Sequence, residues 1–286
     1  FQRTIEGVKN QPNFSHVFVI GLGCECAQIS LFQNQESNNV IYLNIQDEGG
    51  TKSIVNKCFK MICDILPEAN NFNRTTRPVN ELSVALQCGG SDSYSGITAN
   101  PALGYASDLI VSKGGSTLLA ETPEIYGAEH LLTNRAANAE VAEKLMQQIR
   151  WWEEYARRHD STIDNNPSVG NKEGGLTTIY EKSLGALAKG GQSPLMAVYD
   201  YAERIDVTGF GFMDTPGYDP ISMTGLVAGG CNVGVFTTGR GSVYGCKPAP
   251  CIKVATNTAL YEWMEEDMDI NAGTINRYFG CMYNYC

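Results

Sequence analysis

The chain of 286 residues has no apolar run approaching the about 20 residues that a membrane-spanning helix requires, so a place within a bilayer is not expected. It is also short of positive charge. Lys and Arg number 21 against 31 Asp and Glu, a formal net charge of −10. Without a basic stripe to neutralise phosphates, nucleic acid is excluded as a partner. A small anionic substrate is not excluded, because a local site can be positive on an acidic protein. Histidine is scarce, with only His16, His130 and His159. Cys24-Glu25-Cys26 is C-x-C, which supports neither a zinc ribbon nor a thioredoxin motif. No internal repeat, low-complexity tract or signal-peptide pattern is evident. The first residue is Phe1 rather than Met, as expected of a piece of a longer protein.

Cysteine itself is plentiful. The ten lie at positions 24, 26, 58, 63, 88, 231, 246, 251, 281 and 286, without the dense, even spacing of a small disulfide scaffold. A chain of this length can build a core without staples. Reduced thiols in a cytoplasmic protein are the expectation.

Strand-like runs at 17–20, 40–44, 82–86, 117–120, 210–213 and 233–236 alternate with helical patterns at 54–66, 125–132, 137–158, 176–188 and 256–268. Such alternation predicts an α/β fold, a mostly parallel sheet with covering helices. The polar break at 164–175 reads equally as a linker or as a loop that holds an anion with backbone N–H groups and Lys172. Two lobes joined after the long helix, with the active site between them, are expected as domains 1–160 and 161–286. The first strand runs into Gly21-Leu22-Gly23, half of a dinucleotide fingerprint without its third glycine. A tight turn presenting Cys24 and Glu25 at a strand tip is the better reading. Asp214 and Asp219 flank a proline-rich turn and read as turn chemistry, with a metal corner as the alternative.

The densest collection of metal- and proton-handling groups lies in residues 88–132. A thiol, Cys88, opens the glycine-rich loop carrying Ser91 and Asp92. A strand then delivers Glu121, and His130 follows on a helix. A carboxylate at a strand end in an α/β protein points into the usual ligand crevice. Farther on, the strand at 233–236 leads to Thr237, Thr238, Arg240 and Ser242. Hydroxyls and one planar guanidinium after a strand suit a carboxylate.

Seven stretches carry a wider resemblance: GLGCE (21–25), QCGGSDSYSGITANPALGYASD (87–108), ETPEIYGAEHLLTNRA (121–136), NNPSVGNKEGGLTTIYEKSLGALAKGG (165–191), MDTPGYDPISMTG (213–225), FTTGRGSVYGCKPAP (236–250) and ATNTALYEWMEEDMDINAG (255–273). In this order they resemble the altronate/galactarate dehydratase family of sugar-acid dehydratases, over roughly 17–273. The resemblance implies an intracellular hydro-lyase. It would remove water from a hexonate or hexarate to give a 2-keto-3-deoxy acid, with a divalent metal, Fe2+ or alternatively Mn2+. The family's small N-terminal domain is not recognised here, and the tail from Thr274 departs from the family's continuation. A sulfolactate sulfo-lyase large subunit is a relative that expels sulfite instead, and a non-catalytic sugar-acid-binding fragment is the alternative from another class.

Dehydration needs a base beside the carboxylate, a stabiliser for the charge that develops on it, and help for the departing hydroxide. The metal candidates are Cys24, Glu25, Cys88, Glu121 and His130, a mixed donor set that suits iron, manganese or zinc. Candidates for base or acid are His130, Lys172 and Lys247, with Lys182 beside them. A buried lysine would serve and an exposed one would not. Substrate contacts are expected from Ser91, Asp92, Ser95, Asn100, Thr237, Thr238, Arg240 and Ser242. The partner is a small sugar acid, and a homo-oligomer is compatible with the motifs.

Overall fold

A computed structural model describes residues 1–33 and 39–276, and the chain divides into two compact units, 1–77 and 78–286. The first contains helix α1 (Gln2–Lys9), the parallel pair β1 (Val17–Gly21) and β2 (Val40–Asn44), and helix α2 (Thr51–Ala69). The α2 helix turns Ile54 inward, at helical spacing from Cys58, Met61 and Ile65, which are half-buried.

The second unit is built on one seven-stranded parallel sheet in the order β5-β6-β4-β3-β7-β8-β9. Its elements run β3 (Ser83–Cys88), α3 (Ala99–Ser112), β4 (Ser116–Leu119), α4 (His130–Thr133), α5 (Ala139–Arg158), α6 (Val169–Glu173), α7 (Ile179–Leu187), β5 (Leu195–Tyr199), β6 (Gly209–Met213), α8 (Asp219–Gly229), β7 (Val233–Thr238), β8 (Cys251–Ala255), α9 (Thr258–Trp263) and β9 (Ile270–Asn271). Because side chains alternate along a strand, each strand serves two cores. Val84, Leu86, Leu119, Phe210 and Phe212 pack with Leu103 of α3 and with Leu145 and Ile149 of α5. Ala85, Leu118 and Met213 pack on the other face with Met223 and Leu226 of α8. A sheet covered on both faces reads as near-continuous apolar runs, as these strands do.

The α/β expectation therefore holds, with corrections. The break expected at 160/161 falls inside the second unit, because β3 and β4 lie in the same sheet as β5 to β9. The polar segment after it holds the short helix α6, capped by Ser168 and Asn171. Strands β5 and β8 and helices α3 and α8 were not anticipated. Gly and Pro interrupt the patterns of both helices, and α8 begins inside the segment read as a proline turn. The 125–132 stretch is helical only from His130. Positions beyond Asn276, including most of the atypical tail with Cys281 and Cys286, lie outside the described residues. The eight cysteines within them are free thiols. No helix among the described residues is long and apolar enough to cross a membrane.

One close approach holds the turn Ala188–Gly190 in place. Gly104 lets α3 lie directly on it: a Cβ there would stand 2.1 Å from the Ala188 carbonyl oxygen. Gly104→Val is expected to shift that turn and to cost about 1–3 kcal/mol or more of stability, as overpacking does. The denaturant midpoint measures this, and an unchanged midpoint contradicts the packing described.

Candidate active site

Strands β3, β4, β6 and β7 are neighbours that run in one direction, so their C-terminal ends open on the same edge of the sheet. The chain starts this sheet at β3, adds β4 on one side and later β7 on the other. Such a reversal leaves a crevice beyond the strand ends. Cys88 is the last residue of β3. Glu121 follows β4 in the left-handed region, φ 70°, a conformation uncommon for a residue with a Cβ. It is held there by its N–H, which donates to Thr215 Oγ1 at 2.9 Å. The next N–H, of Thr122, donates to the Thr215 carbonyl at 3.1 Å. Pro123 then turns the chain so that Glu124 faces back, its N–H on the Glu121 carbonyl at 2.8 Å.

These turns bring one ligand atom each of Cys88, Glu121 and Glu124 within 4.8 Å of one another, all three residues buried. Two buried lysines stand behind them. Lys189 Nζ donates to Cys88 Sγ at 2.8 Å. Lys182 Nζ donates to Glu124 Oε1 at 2.8 Å, to Asn166 Oδ1 at 2.8 Å and to Asn171 Oδ1 at 3.2 Å. Oxygen Oε2 of Glu121 and Oε2 of Glu124 are buried without a hydrogen-bond partner. An unpaired buried acceptor is costly, and two of them on residues whose ligand atoms cluster with a thiol suit a cation. Asp219, the first residue of α8, accepts from Gln87 Nε2 at 2.9 Å. Its carboxylate lies against Gly89, where an added Cβ would come within 2.3 Å of Oδ2.

The electrostatics agree. Fully ionised, Cys88, Glu121, Glu124 and Asp219 supply four negative charges and Lys182 and Lys189 two positive ones, an excess of two negative charges. Burial, then the neighbouring Glu124, holds the Glu121 carboxyl well above the usual carboxylate range, against the pull of Lys189. Burial likewise pushes the Cys88 thiol up, with Lys189 opposing, and raises Asp219, with Gln87 opposing. Burial acts to lower Lys189, but Cys88 and Glu121 outweigh it and its ammonium is held above the ordinary lysine value. A divalent cation would remove the imbalance, so the donor set and its charge fit such a metal.

The triad forms the floor of a cleft of about 760 Å³. Arg240 lines it, paired to Glu173 of α6 at 2.9 Å. Trp152, Tyr155 and His159 of the α5 end form another wall. Trp152 Nε1 donates to Asp214 Oδ1 at 2.8 Å, and the same oxygen accepts from Thr122 Oγ1. All the lining residues belong to the second unit.

Of the residues singled out from sequence, Cys88, Glu121, Lys182 and Arg240 come together at this cleft. Cys24 and Glu25 belong to the first unit. Cys24 is exposed and accepts from Gln46 Nε2 at 3.3 Å. Glu25 accepts from the N–H groups of Leu22 and Gly23, and backbone N–H groups of its own turn, its own and that of Gly23 foremost, lower its pKa. His130, Lys172 and Lys247 are exposed and do not line the cleft. The small polar residues are mostly bracing. Asp92 accepts from Ser95 Oγ at 2.9 Å, Thr256 Oγ1 at 2.9 Å and Asn257 Nδ2 at 3.1 Å. Ser91 holds Asn171 through its carbonyl at 3.0 Å. Thr237 donates to Asn100 Oδ1, Asn100 donates to the Gly185 carbonyl, and Thr238 accepts from the Gly241 N–H. Ser242 accepts from the Tyr244 N–H at 3.2 Å. Ser91, Asp92, Ser95 and Asn100 line a smaller cavity of about 280 Å³.

Sequence reasoning missed Glu124, Lys189 and His159 at the cleft, and favoured turn chemistry for Asp219, which lines it. The E-T-P-E spacing around Pro123 was a readable sign of two carboxylates on one turn. Lys189, inside an apolar run and before two glycines, carried a weaker one.

The family model described as D-galactarate/altronate dehydratase, C-terminal, matches residues 79–279, and that described as D-galactarate dehydratase/altronate hydrolase, second domain, matches residues 1–70. These two stretches follow the division into compact units. The galactarate dehydratase (L-threo-forming) of Escherichia coli (strain K12) is 41% identical over 96% of this chain and 54% of its own length. The altronate dehydratase of Bacillus subtilis (strain 168) is 40% identical over 92% of this chain and 53% of its own length. The (2R)-sulfolactate sulfo-lyase subunit beta of Chromohalobacter salexigens is 30% identical over 96% of this chain and 72% of its own length. The chain thus spans about half the length of the two dehydratases.

The raised Glu121 carboxyl sets a pH dependence. Without metal, the folded chain holds this proton to higher pH than the unfolded chain, so the contribution to stability is present at acid pH and lost as pH rises through the raised value. With a chelator present, Glu121→Gln is expected to match the parent at acid pH and to exceed it in stability at higher pH. Denaturant unfolding across pH measures the difference, and a flat difference contradicts the assignment.

Proposed function

The chain belongs to the D-galactarate/altronate dehydratase family, and on that premise we propose that it is the metal-dependent catalytic portion of a sugar-acid dehydratase, giving a 2-keto-3-deoxy acid. The observation that carries the reading is the buried triad Cys88, Glu121 and Glu124 with its two unpartnered oxygens. Those three residues would hold the metal. A thiolate with two carboxylates is a mixed soft and hard donor set, suited to Fe2+, with Mn2+ as the alternative. When bound, a divalent cation supplies Lewis-acid polarisation of a substrate carboxylate and hydroxyl. Free thiols suit a reducing, cytoplasmic setting.

The remaining roles fall to side chains of the cleft. Arg240 offers its fork to the substrate carboxylate, exchanging Glu173 for it. Lys182 is tied in place, because three oxygens already accept hydrogen bonds from its Nζ. It neutralises Glu124 rather than acting as base. Asp219 is the base of choice. Gln87 fixes one carboxylate oxygen, burial raises its pKa, and Oδ2 reaches the cleft beside Gly89. Oδ2 takes the proton next to the substrate carboxylate as hydroxide leaves the adjacent carbon, and the released enol becomes the keto acid. Trp152, Tyr155 and His159 bound the cleft on one side.

The test is anaerobic incubation with Fe2+ and, separately, altronate, galactarate and sulfolactate, with assays for keto acid and sulfite. Keto acid without sulfite is expected. Sulfite would favour the sulfo-lyase chemistry of the more distant relative, and binding without product a sugar-acid-binding fragment. Glu124→Gln and Cys88→Ala are each expected to lower turnover at least about 10²-fold and to lose the bound metal on dialysis. Retention of both metal and turnover would sink the proposal.

A further inference from the structure

We infer that Lys189 is a positioning residue for the metal site, fixing the direction of the Cys88 sulfur and biasing the site towards a divalent over a trivalent ion. This role rests on the metal reading of the triad and goes beyond it. Lys189 is 1% exposed and among the largest fully buried side chains of the protein. A buried ammonium is unfavourable unless paired, and the acceptor that meets Lys189 is a sulfur, 101 residues away in sequence, at 2.8 Å. Its counterpart Lys182 is used quite differently, with all its contacts to oxygen. The two lysines thus divide the floor, one serving the carboxylate and the other the sulfur.

Nor is Lys189 a loose cation that has swung inward. Its turn is pressed on one side by α3 at Gly104. On the other, Arg135 donates to the carbonyls of Gly191 at 2.7 Å and Gly190 at 3.4 Å. Two consequences arise from the geometry. A hydrogen bond to a ligand sulfur lowers its electron donation to the metal. A fixed positive charge one hydrogen bond behind that sulfur opposes a third charge on the metal more than a second.

The test uses the whole chain loaded with Co2+ and, separately, with Fe2+. The parent should show a sulfur-to-cobalt charge-transfer band that Cys88→Ser abolishes. Lys189→Met should keep the band but move it to longer wavelength. With Fe2+, loss of one electron to dioxygen, giving Fe3+ and superoxide, should run at least about fivefold faster in Lys189→Met than in the parent, since the charge opposing it is gone; a ferrous chelator reports the remaining Fe2+. Where Lys189→Met does not fold, Lys189→Gln, which keeps a donor without the charge, is read by the oxidation rate. Band position and oxidation rate equal to the parent's would overturn the assignment while leaving the metal reading intact. A parent without any sulfur band would overturn the metal reading of Cys88, and the role of Lys189 with it.

Discussion

Acidic groups gathered out of water around two buried lysines are the constraint on which the second unit is built. Cys88, Glu121, Glu124 and Asp219 converge beyond the strand ends, with Lys182 and Lys189 opposite them. Burying one unpaired charge is prohibitive, while a compensated cluster is tolerable when each partner is held in place. Much of the surrounding architecture serves that holding. Asn166 and Asn171 share Lys182 with Glu124, Gln87 is itself fixed by Ser222, and Thr215 locks the strained backbone of Glu121.

The parallel sheet makes this convergence possible. Residues separated by up to about half of the chain are brought to one edge because β3, β4, β6 and β7 all end there. The loops after these strands are then bound to one another. Asp92 after β3 is held by Thr256 and Asn257 after β8, and Thr237 at the end of β7 is tied to Asn100 of α3. The serine, threonine and asparagine groups of these loops spend their hydrogen bonds on the scaffold, which leaves charged groups to define the cleft.

That division explains what could be read from sequence. Cys88, Glu121 and Arg240 were legible because each follows an apolar run that had to be a strand, and strand ends in an α/β fold point to the crevice. Glu124 required knowing that Pro123 turns the chain back. Lys189 was hidden because its meaning lies in a contact 101 residues distant, which no local pattern encodes. Ser91, Asp92 and Asn100 looked like substrate groups because hydroxyls and amides brace a loop with the same atoms that would bind a ligand. Histidine scarcity drew attention to His130, but its helix lies with that side chain exposed, and His159 at the end of α5 lines the cleft instead. The boundary misjudged at 160/161 followed from polarity alone, which does not report which strands share a sheet.

The indole of Trp152 does two things at once. It lines the cleft wall, and its N–H grips the Asp214 oxygen that also holds the Thr122 hydroxyl, one residue from Glu121. Wall and floor are therefore mechanically one piece. Attempts to broaden the range of molecules admitted by paring back that aromatic would also slacken the carboxylate beneath it, so tolerance for new shapes and grip on the ion cannot be varied independently from this position.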